Sequence, residues 1–212
     1  MSLLKEISEF LQQGRAKNVK ELVQKALDDG MEPKTILNEG LLHGMGIVGV
    51  KFKNNEVYVP EVLIAARAMN AGMEILKPIL TETGVEAIGK VVIGTVKGDL
   101  HDIGKNLVKM MMEGSGLEVI DLGIDVSPEK FIEAANEHEA QIIACSALLT
   151  TTMLEMKNVV EAAKEAGIRD RVTVMVGGAP VTDSFCKSIG ADIYSPDAAT
   201  AAEEAARVCK SA

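Results

Sequence analysis

The stretch VVIGTVKGDLHDIGKN, Val91 to Asn106, decides the fold. It opens as a short apolar strand, passes through a loop rich in glycine and charge, and enters a helical pattern near residue 105. Four further apolar runs follow: LEVIDL (Leu117 to Leu122), QIIACS (Gln141 to Ser146), VTVMVG (Val172 to Gly177) and ADIYS (Ala191 to Ser195). Helical stretches near 105–113, 128–138, 152–166, 181–189 and 198–209 alternate with them. Five strand–helix repeats predict a Rossmann-like, flavodoxin-like α/β unit, a parallel five-stranded sheet with helices on both faces. Ligands of such sheets bind beyond the carboxyl ends of the strands, where the strand order reverses. The unusual residues fall there: GTVKGDLHDIGKN after the first run, SALLTTTM after the third and GGAP after the fourth.

Toward the N-terminus the period changes. Leu3, Leu4, Ile7, Phe10 and Leu11 share one helical face. Val19, Leu22, Val23, Ala26 and Leu27 form a second, stopped by Gly30. Ile36, Leu37, Leu41, Met45 and Val48 continue in a third helix, after Pro33. Pro60 opens a fourth, with Val62, Leu63, Ala66, Met69 and Met73 on its buried side. Four helices with short connections predict a small bundle over residues 1–82. The segment TETGVEAIGK, Thr81 to Lys90, has no apolar period and two glycines. It predicts a linker over 83–89, with the α/β domain covering 90–212.

Composition narrows the function. A formal net charge of −9 argues against a nucleic-acid partner, which needs a basic surface. Aromatic residues make up 3 % and tryptophan is absent, so base-stacking platforms are not expected either. Cys145, Cys186 and Cys209 are odd in number and widely spaced, which supports neither a disulfide framework nor a zinc site. No apolar run approaches the roughly 20 residues that span a bilayer, and the N-terminus lacks the apolar core of a signal peptide. A cytoplasmic protein without a membrane partner is expected.

Familiar chemistries of this fold class do not match. No G-K-[ST] follows the glycines of the first loop, and G-x-G-x-x-G is absent. The third strand ends in Cys145 and Ser146, not in the aspartate of a phosphorylated receiver. Only Tyr58 and Tyr194 could flank a flavin, and no G-x-S-x-G elbow exists. What remains is Asp99-Leu100-His101-Asp102-Ile103-Gly104. An imidazole two residues from a carboxylate suits a metal ligand whose tautomer the carboxylate fixes. A lone loop histidine is more often a surface group, and spacing alone leaves both readings open.

Three motifs together go further. GDLHDIGKN, then Ser146-Ala147-Leu148, then Gly177-Gly178 resemble the D-x-H-x-x-G, S-x-L and G-G signature of base-off cobalamin-binding domains, in order and in spacing. The stretch MGIVGVKFKNNEVYVPEVLIAARAM resembles the helical cap of methionine synthase and of methyltransferase corrinoid proteins, so the likeness spans nearly the whole chain. The resemblance implies a bound cobalamin or related corrinoid whose nucleotide tail leaves the cobalt and threads into the sheet. His101 then replaces it as the lower cobalt ligand. Asp99 bonds the other imidazole nitrogen and Thr152 completes a relay, standing where the methionine synthase pattern has serine. Asp102, Ile103 and Gly104 complete the ligand motif. Ser146, Leu148 and Thr150 fall to the tail pocket, Gly177 and Gly178 leave the tail room, and Tyr194, Ser195 and Ala198 border its outer end. Phe52 and Val59 match positions that cover the upper corrin face, against the alternative of ordinary packing.

His43, His138 and the run Met110 to Met112 read as surface or packing residues. The chain has no room for a substrate-activating barrel. The resemblance therefore implies the corrinoid subunit of a multi-protein methyltransferase system, not a complete enzyme. Its expected partners are a substrate-specific methyltransferase for methylamines, methanol or aromatic methyl ethers, an acceptor methyltransferase and a reductive activation protein. The alternatives are the small subunit of an adenosylcobalamin mutase and a cobalamin-sensing regulator.

Overall fold

The computed structural model describes residues 2–211. The chain divides into two units, the first built on residues up to 87 together with Gly114–Gly116, the second on residues 88–113 and those from 117 onward.

The helical unit contains α1 (Leu3–Gln12), α2 (Ala16–Asp28), α3 (Pro33–Thr35), α4 (His43–Lys53) and α5 (Val59–Glu82). Gly30, at φ 80°, closes α2: its N–H bonds the Leu27 carbonyl and the Met31 N–H reaches back to Ala26, both at 2.9 Å. The third helix expected from periodicity is not uniform. A π-helical stretch, Ile36–Leu42, joins α3 to α4 without a break. Gly40 in this stretch and Gly44 in α4 let α1 come close: a Cβ at Gly40 would lie 3.1 Å from Ile7, and one at Gly44 3.1 Å from the Ser8 Cα. Leu63 departs from expectation and is 40 % exposed. The buried arc of α5 runs through Val62, Ala65, Ala66, Met69 and Leu76. At about 100° per residue, Leu63 stands to one side of it. Met73 is half-buried. Of the expected linker segment, Thr81 and Glu82 complete α5 and Lys90 opens the first strand.

The second unit alternates β1 (Lys90–Thr95), α6 (Ile103–Glu113), β2 (Glu118–Asp121), α7 (Pro128–Glu137), β3 (Ile142–Ser146), α8 (Leu154–Glu165), β4 (Thr173–Gly177), α9 (Asp183–Ser188), β5 (Ile193–Ser195) and α10 (Ala198–Ser211). All strand pairs are parallel, in the order β2-β1-β3-β4-β5. The flavodoxin-like sheet expected from the sequence is therefore present, with its order reversing between β1 and β3. Phe131 of α7, Val159 of α8 and Val92, Ile143 and Val174 of the sheet share one fully buried cluster. Gly94 makes space for it, since a Cβ there would sit 2.8 Å from the Phe131 ring.

The register aligns four strand ends. Thr95 pairs with Ser146, Ser146 with Gly177, and Gly177 with Ser195. Residues in one row of a parallel sheet point to the same face. This row is a line of hydroxyl side chains interrupted by one glycine, beside the switch point.

Candidate functional site

Asp99 is the centre of the site. It follows β1 on the loop that leads to α6 and is fully buried. Its Oδ1 accepts the His101 N–H at 3.1 Å and lies 2.7 Å from His101 Nδ1. Its Oδ2 accepts the Leu148 N–H at 2.8 Å, the Leu149 N–H at 3.2 Å and the Thr152 hydroxyl at 2.8 Å. Burial alone would raise this carboxyl. The bonds from the His101 ring and amide, the Leu148 amide and Thr152 outweigh it and hold the group well below the usual carboxylate range. Asp99 is therefore an anion near neutral pH, and His101 Nδ1 carries the proton between them. The Thr152 hydroxyl has one proton, and although the Leu149 carbonyl is 3.0 Å away, the charged carboxylate is the stronger acceptor.

With Nδ1 engaged, Nε2 is the nitrogen His101 can offer to a metal. Half of the side chain is exposed. Among the described residues, no group of three or more His, Cys, Asp or Glu could hold a metal ion. One imidazole is a poor site for a bare ion. It suits a metal that arrives with most of its other donors already attached.

The rest of the ligand motif is open. Asp102 is exposed and accepts from the Asn106 side chain at 3.1 Å. Ile103, the first residue of α6, is 79 % exposed, and Leu100 is 67 % exposed. Leu148 and Leu149, whose amides bond Asp99, are also exposed. A Cβ at Gly104 would meet nothing within 4 Å, so no neighbouring group in the protein demands glycine there.

The loops after β3 and β4 come together. A Cβ at Gly178, which has φ 131°, would collide with the Ala147 carbonyl oxygen, and one at Gly177 would lie 3.2 Å from the Ser195 carbonyl oxygen. Among the described residues, Ser195 Oγ is the buried side-chain polar atom without a hydrogen-bond partner. It shares the register row with Gly177 and Ser146. Tyr194 faces the other side of the sheet, where it packs against the core, and Ala198 is buried at the start of α10. Thr150 is exposed in the turn before α8. Phe52 ends in half-burial near the C-terminus of α4, and Val59, also half-buried, opens α5. The structure thus brings Asp99, His101, Leu148 and Thr152 into one network, and Ser146, Gly177 and Ser195 into one row.

Some residues of the site were not singled out in the sequence. The amides of Leu148 and Leu149 hold Asp99, a backbone role that no side-chain motif reveals. Lys105 is 2 % exposed and bonds Asp121 at 2.6 Å, pinning the first turn of α6 to the end of β2. A lysine inside GDLHDIGKN reads as solvated until α6 and β2 are placed. Cys145 carries no chemistry here: burial pushes its thiol up to about 12.

A parallel sheet whose switch-point loops present one carboxylate-held imidazole, beside a glycine cradle and a row of hydroxyls, is the arrangement that the corrinoid resemblance implies. Comparison with known proteins agrees. Residues 89–206 match a family model described as a B12 binding domain, and residues 3–77 match a second model with the same description. Trimethylamine corrinoid protein 1 of Methanosarcina acetivorans is 47 % identical over 180 residues, 84 % of this chain and 83 % of that one. Dimethylamine corrinoid protein of Methanosarcina barkeri is 43 % identical over 204 residues, 96 % of this chain and 95 % of that one. The crystal structure of the methanol:cobalamin methyltransferase complex MtaBC from Methanosarcina barkeri superposes with a TM-score of 0.88 at 30 % identity, covering 99 % of this chain and 80 % of that one. A cobalamin-binding protein from Desulfitobacterium hafniense DCB-2 gives 0.80 at 32 % identity, covering 97 % and 98 %. The chain belongs to the B12-binding family of corrinoid proteins, and its cofactor is cobalamin or a related corrinoid. A single imidazole fits such a cofactor, because a corrin would bring most of the metal's donors with it.

Proposed function

We propose that the protein is a methyl carrier that holds its corrinoid base-off, with His101 Nε2 as lower ligand to cobalt. The observation that carries the proposal is the 2.7 Å bond between His101 Nδ1 and a fully buried, five-times bonded Asp99 carboxylate. That bond fixes the tautomer and leaves the Nε2 lone pair for a ligand. Thr152 and the Leu148 and Leu149 amides hold Asp99 in place and keep it ionised. When bound, the corrinoid supplies the cobalt centre that accepts and releases the methyl group.

The nucleotide tail enters beside Ser146, Gly177, Gly178 and Ser195. Ser195 Oγ is a buried group that a tail polar atom would satisfy, and the two glycines keep side chains off the path. Gly104 fits the same reading: nothing in the protein crowds this position, which leaves room for a closely approaching ligand. Exposed Leu100 and Ile103 offer apolar surface to a corrin ring. The resemblance gives Phe52 and Val59 the upper, methyl-bearing side.

The partners are a substrate-specific methyltransferase, an acceptor methyltransferase and a reductive activation protein, working in the cytoplasm. The relatives named for trimethylamine and dimethylamine, and the methanol complex, make methylamines and methanol the first donors to test. Corrinoid-loaded, reduced protein is incubated with each cognate methyltransferase and its donor, and methylation is followed by absorbance. One donor system should methylate the corrinoid at a rate well above the others. No transfer from any methylamine, methanol or aromatic methyl ether system would overturn the carrier assignment.

A further inference from the structure

The ligand loop is tied down by two residues that the ligation reading does not use. Thr95 ends β1 and is fully buried. Its hydroxyl donates to the His101 carbonyl oxygen at 2.9 Å. Asp125 lies between β2 and α7 with φ 53°, in the left-handed region. Its Oδ1 accepts the Gly98 N–H at 2.7 Å, and its own N–H donates to the Asp99 carbonyl oxygen at 3.1 Å. The loop backbone is therefore held at residues 98, 99 and 101 from two different elements. None of these bonds uses the imidazole or the Asp99 carboxylate. Gly98, at φ 79°, is where the chain turns just before Asp99, and glycine is the conformationally softest residue of such a loop.

We infer that Asp125 and Thr95 are positioning residues that set the backbone under Asp99 and His101, so that the imidazole is in ligating orientation before the corrinoid arrives. The inference rests on the reading of His101 as the cobalt ligand. A loop free to move would spend only part of its time competent, and the apparent affinity would fall by that fraction. The left-handed backbone of Asp125 costs free energy in a non-glycine residue. Asp and Asn are among the few side chains that tolerate it. Here the same residue supplies both a donor and an acceptor to the loop.

The chemistry separates positioning from bulk stability. Asp125→Asn keeps an acceptor and tolerates the left-handed backbone. Asp125→Gly keeps the backbone shape and the N–H but deletes the carboxylate. Thr95→Ser keeps the hydroxyl, and Thr95→Val removes it at nearly equal volume. The full chain is loaded with cobalamin, and electron paramagnetic resonance of the cobalt(II) form reads the fraction of cobalt carrying a protein nitrogen. The Asn and Ser variants should match wild type, while the Gly and Val variants should bind roughly three- to tenfold more weakly. Their protein-nitrogen fraction should also drop, and in Asp125→Gly without cofactor the Gly98 amide should exchange faster. A lower unfolding midpoint with an undiminished protein-nitrogen fraction in both Gly and Val variants would overturn the inference, because that is what a merely structural role produces. Should Thr95→Val fail to fold, Asp125→Gly decides the matter, since glycine relieves the left-handed backbone. Absence of a protein nitrogen in the wild type would overturn the ligation reading itself and this inference with it. That failure shows before any variant is compared.

Discussion

The two units bury different things. In the helical unit the buried interior is apolar apart from Ser8, and its tight glycines answer to packing: Gly40 faces Ile7, Gly44 faces Ser8 and Gly72 faces Leu41. In the α/β unit Thr95, Asp99, Lys105, Thr152 and Ser195 are buried as well. All five lie at carboxyl ends of strands or in the segments that follow them. Burying polar groups costs free energy unless each finds a partner, so a fold does not collect them at one end without a reason. The difference teaches where to look. The buried interior of one unit is explained by packing alone, and the other carries a polar network that packing does not require.

The largest expected effect tests the division itself. We propose that the α/β unit is an autonomous binding module, because the residues proposed to contact the tail and ligate cobalt all lie beyond residue 88. A fragment starting at Ile88 should fold and bind cobalamin, whereas residues 2–87 alone should bind none, as equilibrium dialysis would show. A folded Ile88 fragment without affinity would break the comparison.

Removal of the network's centre comes next. Asp99→Ala strands the amides of Leu148 and Leu149, the Thr152 hydroxyl and the His101 ring. The loss should be about 3 kcal/mol, against under about 1 kcal/mol for Ser8→Ala in the helical unit. Urea unfolding followed by circular dichroism measures both, and equal losses would show that the two units do not differ in this way.

Acid should act on the α/β unit through Asp121. Burial would push this carboxyl up, but the Lys105 ammonium at 2.6 Å, the Gly123 N–H and Lys109 hold it below its ordinary value. A folded-state value below the unfolded one gives stability that is present above pH about 4 and lost as the pH falls toward the folded value. Asp121→Asn should therefore unfold with a shallower acid dependence below pH about 4. An unchanged acid slope would remove Asp121 from the account.

The smallest effect is the sharpest in sign. Ser195 Oγ is buried without a partner, so Ser195→Ala should leave the cofactor-free protein as stable as before or more stable by up to about 1 kcal/mol. The same change should weaken cobalamin binding. If affinity stays unchanged, the row of hydroxyls is not a tail site.

Most of this was readable in the chain, for physical reasons that differ by region. The sheet was legible because its central strands β1, β3 and β4 are buried on both faces and stand out as short apolar runs, such as QIIACS and VTVMVG. The switch-point loops were legible because glycine and charge interrupt those runs at fixed places. Leu63 was misplaced because a long helix has apolar residues on either side of its buried arc. The π-helical stretch from Ile36 to Leu42 leaves no mark in a period-based reading, since its composition is that of an α-helix. Asp125 escaped notice for another reason: its partner Gly98 is 27 residues away, and only the pairing of β1 with β2 makes them neighbours. Backbone donors such as the Leu148 amide have no sequence signature at all.

The central claim is that His101, and not the cofactor's own base, ligates cobalt from below. Protein labelled with 15N-histidine is loaded with unlabelled cobalamin, reduced to cobalt(II) and measured by electron paramagnetic resonance. Because 14N has nuclear spin 1 and 15N has spin 1/2, a histidine ligand should change the nitrogen splitting from three lines to two, and His101→Ala should abolish the two-line pattern. An unaltered three-line pattern in the labelled protein would contradict the account.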